Sequence, residues 1–197
     1  QHGCTTVRIV DAAVALFSAA FPALPQDHLE SVIKLVAVKA RDAELNRAKS
    51  TAPDKAECTA TYNVVAALLG AIRALPAASE DAASTSWVLV LCNTPNSLLC
   101  ALLSNPNPTL RRAAAQALGA LARKMGSDFS AKIVSMLANR LKSKDGDRSG
   151  GMTAEGRAGT MFALTCLKRA SGGRANINPA LVYKHTTETV QPVRNWV

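Results

Sequence analysis

Apolar residues recur along this chain three or four positions apart, the period of a helix with one face on a core. Val7, Val10, Val14, Phe17 and Phe21 make the first such stripe. Pro22 and Pro25 break it, and Asp27 can cap the second helix. That helix carries Leu29, Val32, Ile33 and Val36 inward and becomes charged from Lys39 to Lys49. After "STAPDKAE" a third helix presents Val65, Leu68, Leu69 and Ile72, and "PAASED" closes it. Residues 82–104 read as helical, with an interruption at "NTPN".

The next helix, in "NPNPTLRRAAAQALGALARKMG", has a narrow apolar stripe of Leu110, Ala114, Ala117, Leu118, Leu121 and Met125, and Gly126 suits its C-terminus. A Ser127–Asp128 cap then opens a helix burying Ile133, Leu137 and Leu141. A polar loop, near 142–152, leads to a helix from Thr153 to Ala170 that "SGG" ends. A shorter helix over 179–189 and a last one opening at "QPVRNWV" complete the pattern. That unfinished last helix, and a first residue other than Met, read as a fragment of a longer chain.

The helices are not independent. "LLGAIR" (68–73), "ALGALA" (117–122) and "ALTCLK" (163–168) line up at offsets of 49 and 46 residues, and Pro108 and Pro192 lie 84 apart. Similarity at that period, with two helices in each unit, predicts stacked helical hairpins in which inner and outer helices alternate. The expected fold class is therefore all-α, an α-solenoid spanning 1–197 as about four helix pairs of a longer array.

Composition agrees, because the chain is 48% hydrophobic and only 4% aromatic. Much of that apolar content is alanine and leucine, which favour helix. Cys4, Cys58, Cys92, Cys100 and Cys166 are odd in number and form no CxxC pair, so buried reduced thiols in a cytosolic protein are expected. No run approaches the roughly 18 apolar residues that a membrane span requires. Charge changes the picture more. Residues 1–104 hold 8 basic and 9 acidic side chains, whereas 105–197 hold 15 and 5, a net +10. Such asymmetry points to an acidic protein surface, nucleic acid or an anionic membrane facing the second half.

The stretch "NPTLRRAAAQALGALA" closely resembles the inner helix of a HEAT repeat. That resemblance implies a packing role for Arg111, bonded to a neighbouring repeat's turn, and leaves Arg112 exposed. Three longer stretches, "YNVVAALLGAIRAL", "NPNPTLRRAAAQALGALARKMGSDFSAKI" and "RAGTMFALTCLKRASGG", resemble the HEAT-repeat-containing protein five family in order and spacing, over most of residues 55–197. Its fungal members are the large accessory protein of the type-1 clathrin adaptor. The resemblance implies a long cytosolic scaffold without enzymatic activity, peripheral to the trans-Golgi network and endosomes. Its expected partners are proteins, the type-1 clathrin adaptor and its linker proteins, and it leaves dimerisation of the parent chain open. The polar insert "KSKDGDRSGGMTAEG" is longer than the family's pattern.

Catalytic and metal chemistry find no pattern to rest on. His2, His28 and His185 lie far apart and pair with no nucleophile, and no His or Cys has metal-ligand spacing. The glycines of "GDRSGGMTAEGRAG" lack the P-loop lysine and follow no strand, while Asp145 and Asp147 have no apolar setting to raise a pKa. Neither an enzyme nor a cofactor is expected. The partner-facing candidates are the cations Arg112, Arg140, Lys142, Lys144, Arg148, Lys168, Arg169 and Arg174. The last seven gather at the ends of two successive helices, as two patches on opposite edges if those helices are antiparallel. They either complement helix dipoles or form a docking edge. A basic HEAT array for nucleic acid or nuclear transport is the second functional reading; Phe129, Phe162, Tyr183 and Trp196 are few for base stacking.

Overall fold

The computed structural model describes residues 2–49, 55–74, 88, 91–92, 97–142 and 152–173, and every regular element among them is helical. α1 (His2–Ala20) passes into a 3-10 turn, Phe21–Ala23, where Pro22 needs no N–H partner. The Phe21 ring is buried against Phe17, centroids 5.3 Å apart, which pins the turn to the helix before it. α2 (Gln26–Lys49) begins where the Pro25 carbonyl accepts the Leu29 N–H at 2.9 Å. Asp27 therefore lies inside the first turn instead of capping it, with its carboxylate at the positive end of the helix dipole. α2 buries Leu29, Ile33, Ala37 and Ala40, leaving Val32 and Val36 at the margin of the core.

α3 (Lys55–Ala74) buries the expected Val65, Leu68, Leu69 and Ile72. α4 (Leu98–Leu102) is a single short helix with Leu98, Leu99, Cys100 and Leu102 all inside. α5 (Pro108–Lys142) is two helical segments joined at a kink at Gly126, where φ is 86° and ψ −171°. Only glycine adopts that backbone readily. At the break the Ser130 hydroxyl donates to the Gly126 carbonyl at 2.9 Å and reaches the Ala122 carbonyl at 3.4 Å, so Ser130 ties the carbonyls at the kink to the helix that follows it. The Ser127 hydroxyl turns to Asp128 Oδ1, at 3.3 Å. Gly126→Ala should destabilise the fold by about 1–3 kcal/mol. A chemical denaturation midpoint equal to that of the parent chain would contradict this.

α6 (Ala154–Ala170) is capped at both ends. The Thr153 hydroxyl accepts the Gly156 N–H at 3.1 Å. Beyond Ser171, the N–H groups of Gly172 and Gly173 return to the carbonyls of Arg169 and Lys168 at 3.2 and 2.9 Å. Both glycines have positive φ, so "SGG" closes the helix as a Schellman motif.

Packing makes these helices a solenoid. α1 lies on α3, α3 on α5, and α5 on α6, while α2 touches both α3 and α4. Arg140, near the end of α5, bonds the Cys100 carbonyl, ahead of α5's first residue, so the second half of α5 folds back beside the first. Two contacts orient α6. A Cβ at Gly156 would meet the Ser104 side chain, and one at Gly119 would meet Cys166. α6 thus starts at the 103–107 turn and runs parallel to the first half of α5. α1, α3, residues 108–125 and α6 make one layer; α2, α4 and residues 127–142 make the other.

The first half of α5 is central in this stack. Its expected stripe is buried, but so are Ala113, Ala115, Gly119, Ala120 and Ala122, leaving Gln116 alone outside between 113 and 122. Helices close in on several sides of 108–125 because its residues there are small. Each buried leucine contributes about 1.5–3 kcal/mol over exposure. Alanine contributes less area but lets the neighbouring backbones approach.

Candidate interaction surface

The turn before α5 explains much of its double arginine. Asn105 is fully buried, and its Oδ1 accepts the Asn107 N–H at 2.8 Å. Asn107 repeats the device one step on, its Oδ1 accepting the Thr109 N–H at 2.9 Å as the cap of α5. Arg111 then reaches back from the first helical turn and donates to the Asn105 and Pro106 carbonyls at 2.6 and 2.8 Å. Arg111 is a packing residue, as the pattern predicts, but it bonds its own turn and not a neighbour's. Partial burial lowers its pKa, and the Glu155 carboxylate at the head of α6 opposes that shift. Arg112 is partly buried beside Arg111, not exposed as expected.

The other cations separate into two groups. Arg140 donates to the Cys100 carbonyl at 2.6 Å and to Ser104 Oγ at 2.9 Å, tying the second half of α5 to the end of α4. Its side chain is partly buried, burial lowers its pKa, and its donors are directed into the chain. Lys142 is exposed at the same end of the stack. Lys168 and Arg169 are exposed at the far end of α6. Lys144, Arg148 and Arg174 lie outside the described residues, as do Asp145, Asp147 and His185. The described cations therefore lie at opposite edges, as antiparallel helices require.

The far edge has one member that the clustering of charge along the chain does not reveal. Arg123, exposed at the end of α5's first half, lies near enough to Cys166 to act on its thiol together with Arg169. A signal for it exists in the sequence, since Arg123 occupies in its repeat the place that Arg169 occupies 46 residues later. That signal runs across repeats, and neighbours along the chain do not carry it.

The described thiols Cys92, Cys100 and Cys166 are free; the first two are buried and the third partly so. Burial raises the pKa of all three; Ser97 and Arg140 partly offset it at Cys100, and Arg169 and Arg123 at Cys166. A thiol that holds its proton in the folded state and loses it when unfolded favours unfolding as pH rises. Stability should therefore be level through neutral pH and fall above roughly pH 8.5, the unfolded thiol's pKa. Thermal melts at neutral and alkaline pH, with Cys92→Ala as comparison, test this; an unchanged alkaline loss in that variant would place the cause elsewhere. Among the described residues no cluster of His, Cys, Asp or Glu could hold a metal, and no helix is long and apolar enough to cross a membrane. His28 is exposed.

The turn with its two asparagine caps, the returning arginine and the small-residue helix fall within residues 97–125, which match the family model described as the HEAT repeat. The chain contains a HEAT repeat. No solved structure matches the chain. The HEAT match spans α4, the turn and the first half of α5, the central unit of the stack, and helical hairpins flank it. HEAT repeats stack into scaffolds for protein interaction, with binding surfaces made by successive units rather than by one cleft.

Proposed function

We propose that this chain is a section of a large trafficking scaffold that works with the type-1 clathrin adaptor, in the cytoplasm and peripheral to the trans-Golgi network and endosomes. The observation that carries the reading is the three-part resemblance, "YNVVAALLGAIRAL", "NPNPTLRRAAAQALGALARKMGSDFSAKI" and "RAGTMFALTCLKRASGG", in that family's order and spacing. Support comes from how those stretches are used. Each contributes a helix to the same layer, and each buries its small and aliphatic residues against the next. The chain would then act without chemistry of its own, holding the adaptor and its linker proteins on one extended surface.

Affinity capture of the full-length parent protein from nuclease-treated lysate tests the reading. Type-1 adaptor subunits and their linker proteins should co-purify. Importins, histones or RNA-processing proteins, recovered without any clathrin adaptor, would overturn it in favour of a nuclear or nucleic-acid role.

A further inference from the structure

Three of the four helices in one layer, all but α1, end in cations at matching or adjacent repeat positions. Arg73 closes α3, Arg123 lies in the last turn before Gly126, and Lys168 and Arg169 close α6. All four are exposed. The repeat register puts them on the same edge, because "LLGAIR", "ALGALA" and "ALTCLK" superpose Arg73 on Ala122 and on Lys168, and Arg123 on Arg169. The spatial contacts agree. α3 packs on α5 and α5 on α6, and Gly119 sits directly against Cys166, which brings the ends of two successive units side by side. Cys166 senses both guanidinium groups, Arg169 more than Arg123.

The helix dipole favours a cation at any helix end. It does not account for the distribution, since neither α1 nor α4 has a basic residue in its last turn. Nor are these side chains used internally in the way of Arg111 and Arg140, whose donors go to backbone carbonyls. Neighbouring helices stand about 8–10 Å apart. A polypeptide in the extended polyproline II conformation rises about 3.1 Å per residue with about three residues per turn, so an acidic side chain at every third position would face one helix end after another.

We propose that Arg73, Arg123, Lys168 and Arg169 form a docking edge for an acidic, extended segment of a partner protein. The inference rests on the scaffold part of the function proposed above and not on which partner the scaffold serves. A protein ligand fits better than the other polyanions. Among the described residues the exposed large hydrophobic side chains are Leu16, Leu35, Val38 and Tyr62, on α1, α2 and α3, so none lies on α5 or α6 beside Arg123, Lys168 and Arg169 to anchor in a bilayer. Tyr62 is the one aromatic among them, so the described residues give single-stranded nucleic acid no stacking platform along the edge.

The test measures binding of the full chain to two labelled peptides of equal charge, one with Glu at every third position among Gly and Ser, the other with its Glu residues contiguous. The spaced peptide should bind more tightly. Arg123→Glu with Arg169→Glu should weaken that binding by about tenfold, while the control pair Lys39→Glu with Lys142→Glu, equal in charge change, weakens it less than about twofold. Should the reversed pair fail to fold, Arg123→Gln with Arg169→Gln should give a smaller loss in the same direction. Equal loss in the control pair, indifference to Glu spacing, or tighter binding to phosphatidylserine vesicles or single-stranded DNA than to the peptide would overturn the proposal. Spaced-peptide binding in a protein that captures no clathrin adaptor would keep the docking edge and reject the adaptor assignment.

Discussion

Gly159→Ala should unseat α6 and cost the fold about 3 kcal/mol. Alanine normally stabilises a helix interior by about 1 kcal/mol over glycine, so the expected sign is the reverse of the propensity. The reason is a backbone approach. A Cβ at Gly159 would run into the Leu103 carbonyl oxygen and stand 2.9 Å from its carbon and 3.1 Å from its Cα. Leu103 is fully buried and its N–H is held by the Leu99 carbonyl, so neither side can retreat by turning a side chain. Overpacking of this kind costs about 1–3 kcal/mol and more where backbone must move. Two neighbouring glycines calibrate the effect. A Cβ at Gly156 would meet Ser104 Oγ and Met152 Cγ at 2.7 and 2.8 Å, both on side chains that can rotate. At Gly119 it would meet Cys166 at 3.1–3.3 Å, a misfit of a few tenths of an ångström. Denaturant unfolding should thus rank Gly159→Ala as the most damaging of the three. If it proves as stable as the parent, α6 does not cross the 103–107 turn in this way.

Arg140→Ala and Arg140→Met should each lower stability by about 2–3 kcal/mol, the range for hydrogen bonds from a charged donor when their partners are left unpaired. The methionine variant retains the apolar stem, so a loss equal to that of alanine assigns the effect to the two bonds and not to packing. Those bonds hold the second half of α5 to the Cys100 carbonyl and Ser104 Oγ, which are 40 and 36 residues away in sequence. A charge scan of binding that includes Arg140 would therefore report a folding defect as a docking defect. Unchanged thermal stability in both variants would return Arg140 to the surface candidates.

The helical stripes and their ends were legible in the sequence because they are local. A period of three to four residues, proline at a helix start and glycine past its end act within a few residues of themselves, whatever lies across the fold. The stacking was legible too, through repetition at 49 and 46 residues, since similar units bury similar faces. Even so, Asp27 falls in the first turn of α2 and not at its cap. The backbone decides where the first helical bond forms, here from the Leu29 N–H to the Pro25 carbonyl, and side-chain polarity alone does not fix that position.

What the tertiary structure alone decided was the use of each charge. Arg112, Arg140, Lys142, Lys168 and Arg169 are alike in the sequence, but a cation's role depends on its distance to groups tens of residues away. Arg140 faces a carbonyl across the hairpin and is structural; Arg169 is exposed and shares the neighbourhood of Cys166 with Arg123 of the preceding unit. Local periodicity specified which helices form and which faces they bury. The neighbours that each exposed end acquires were set by the stacking of one unit on the next.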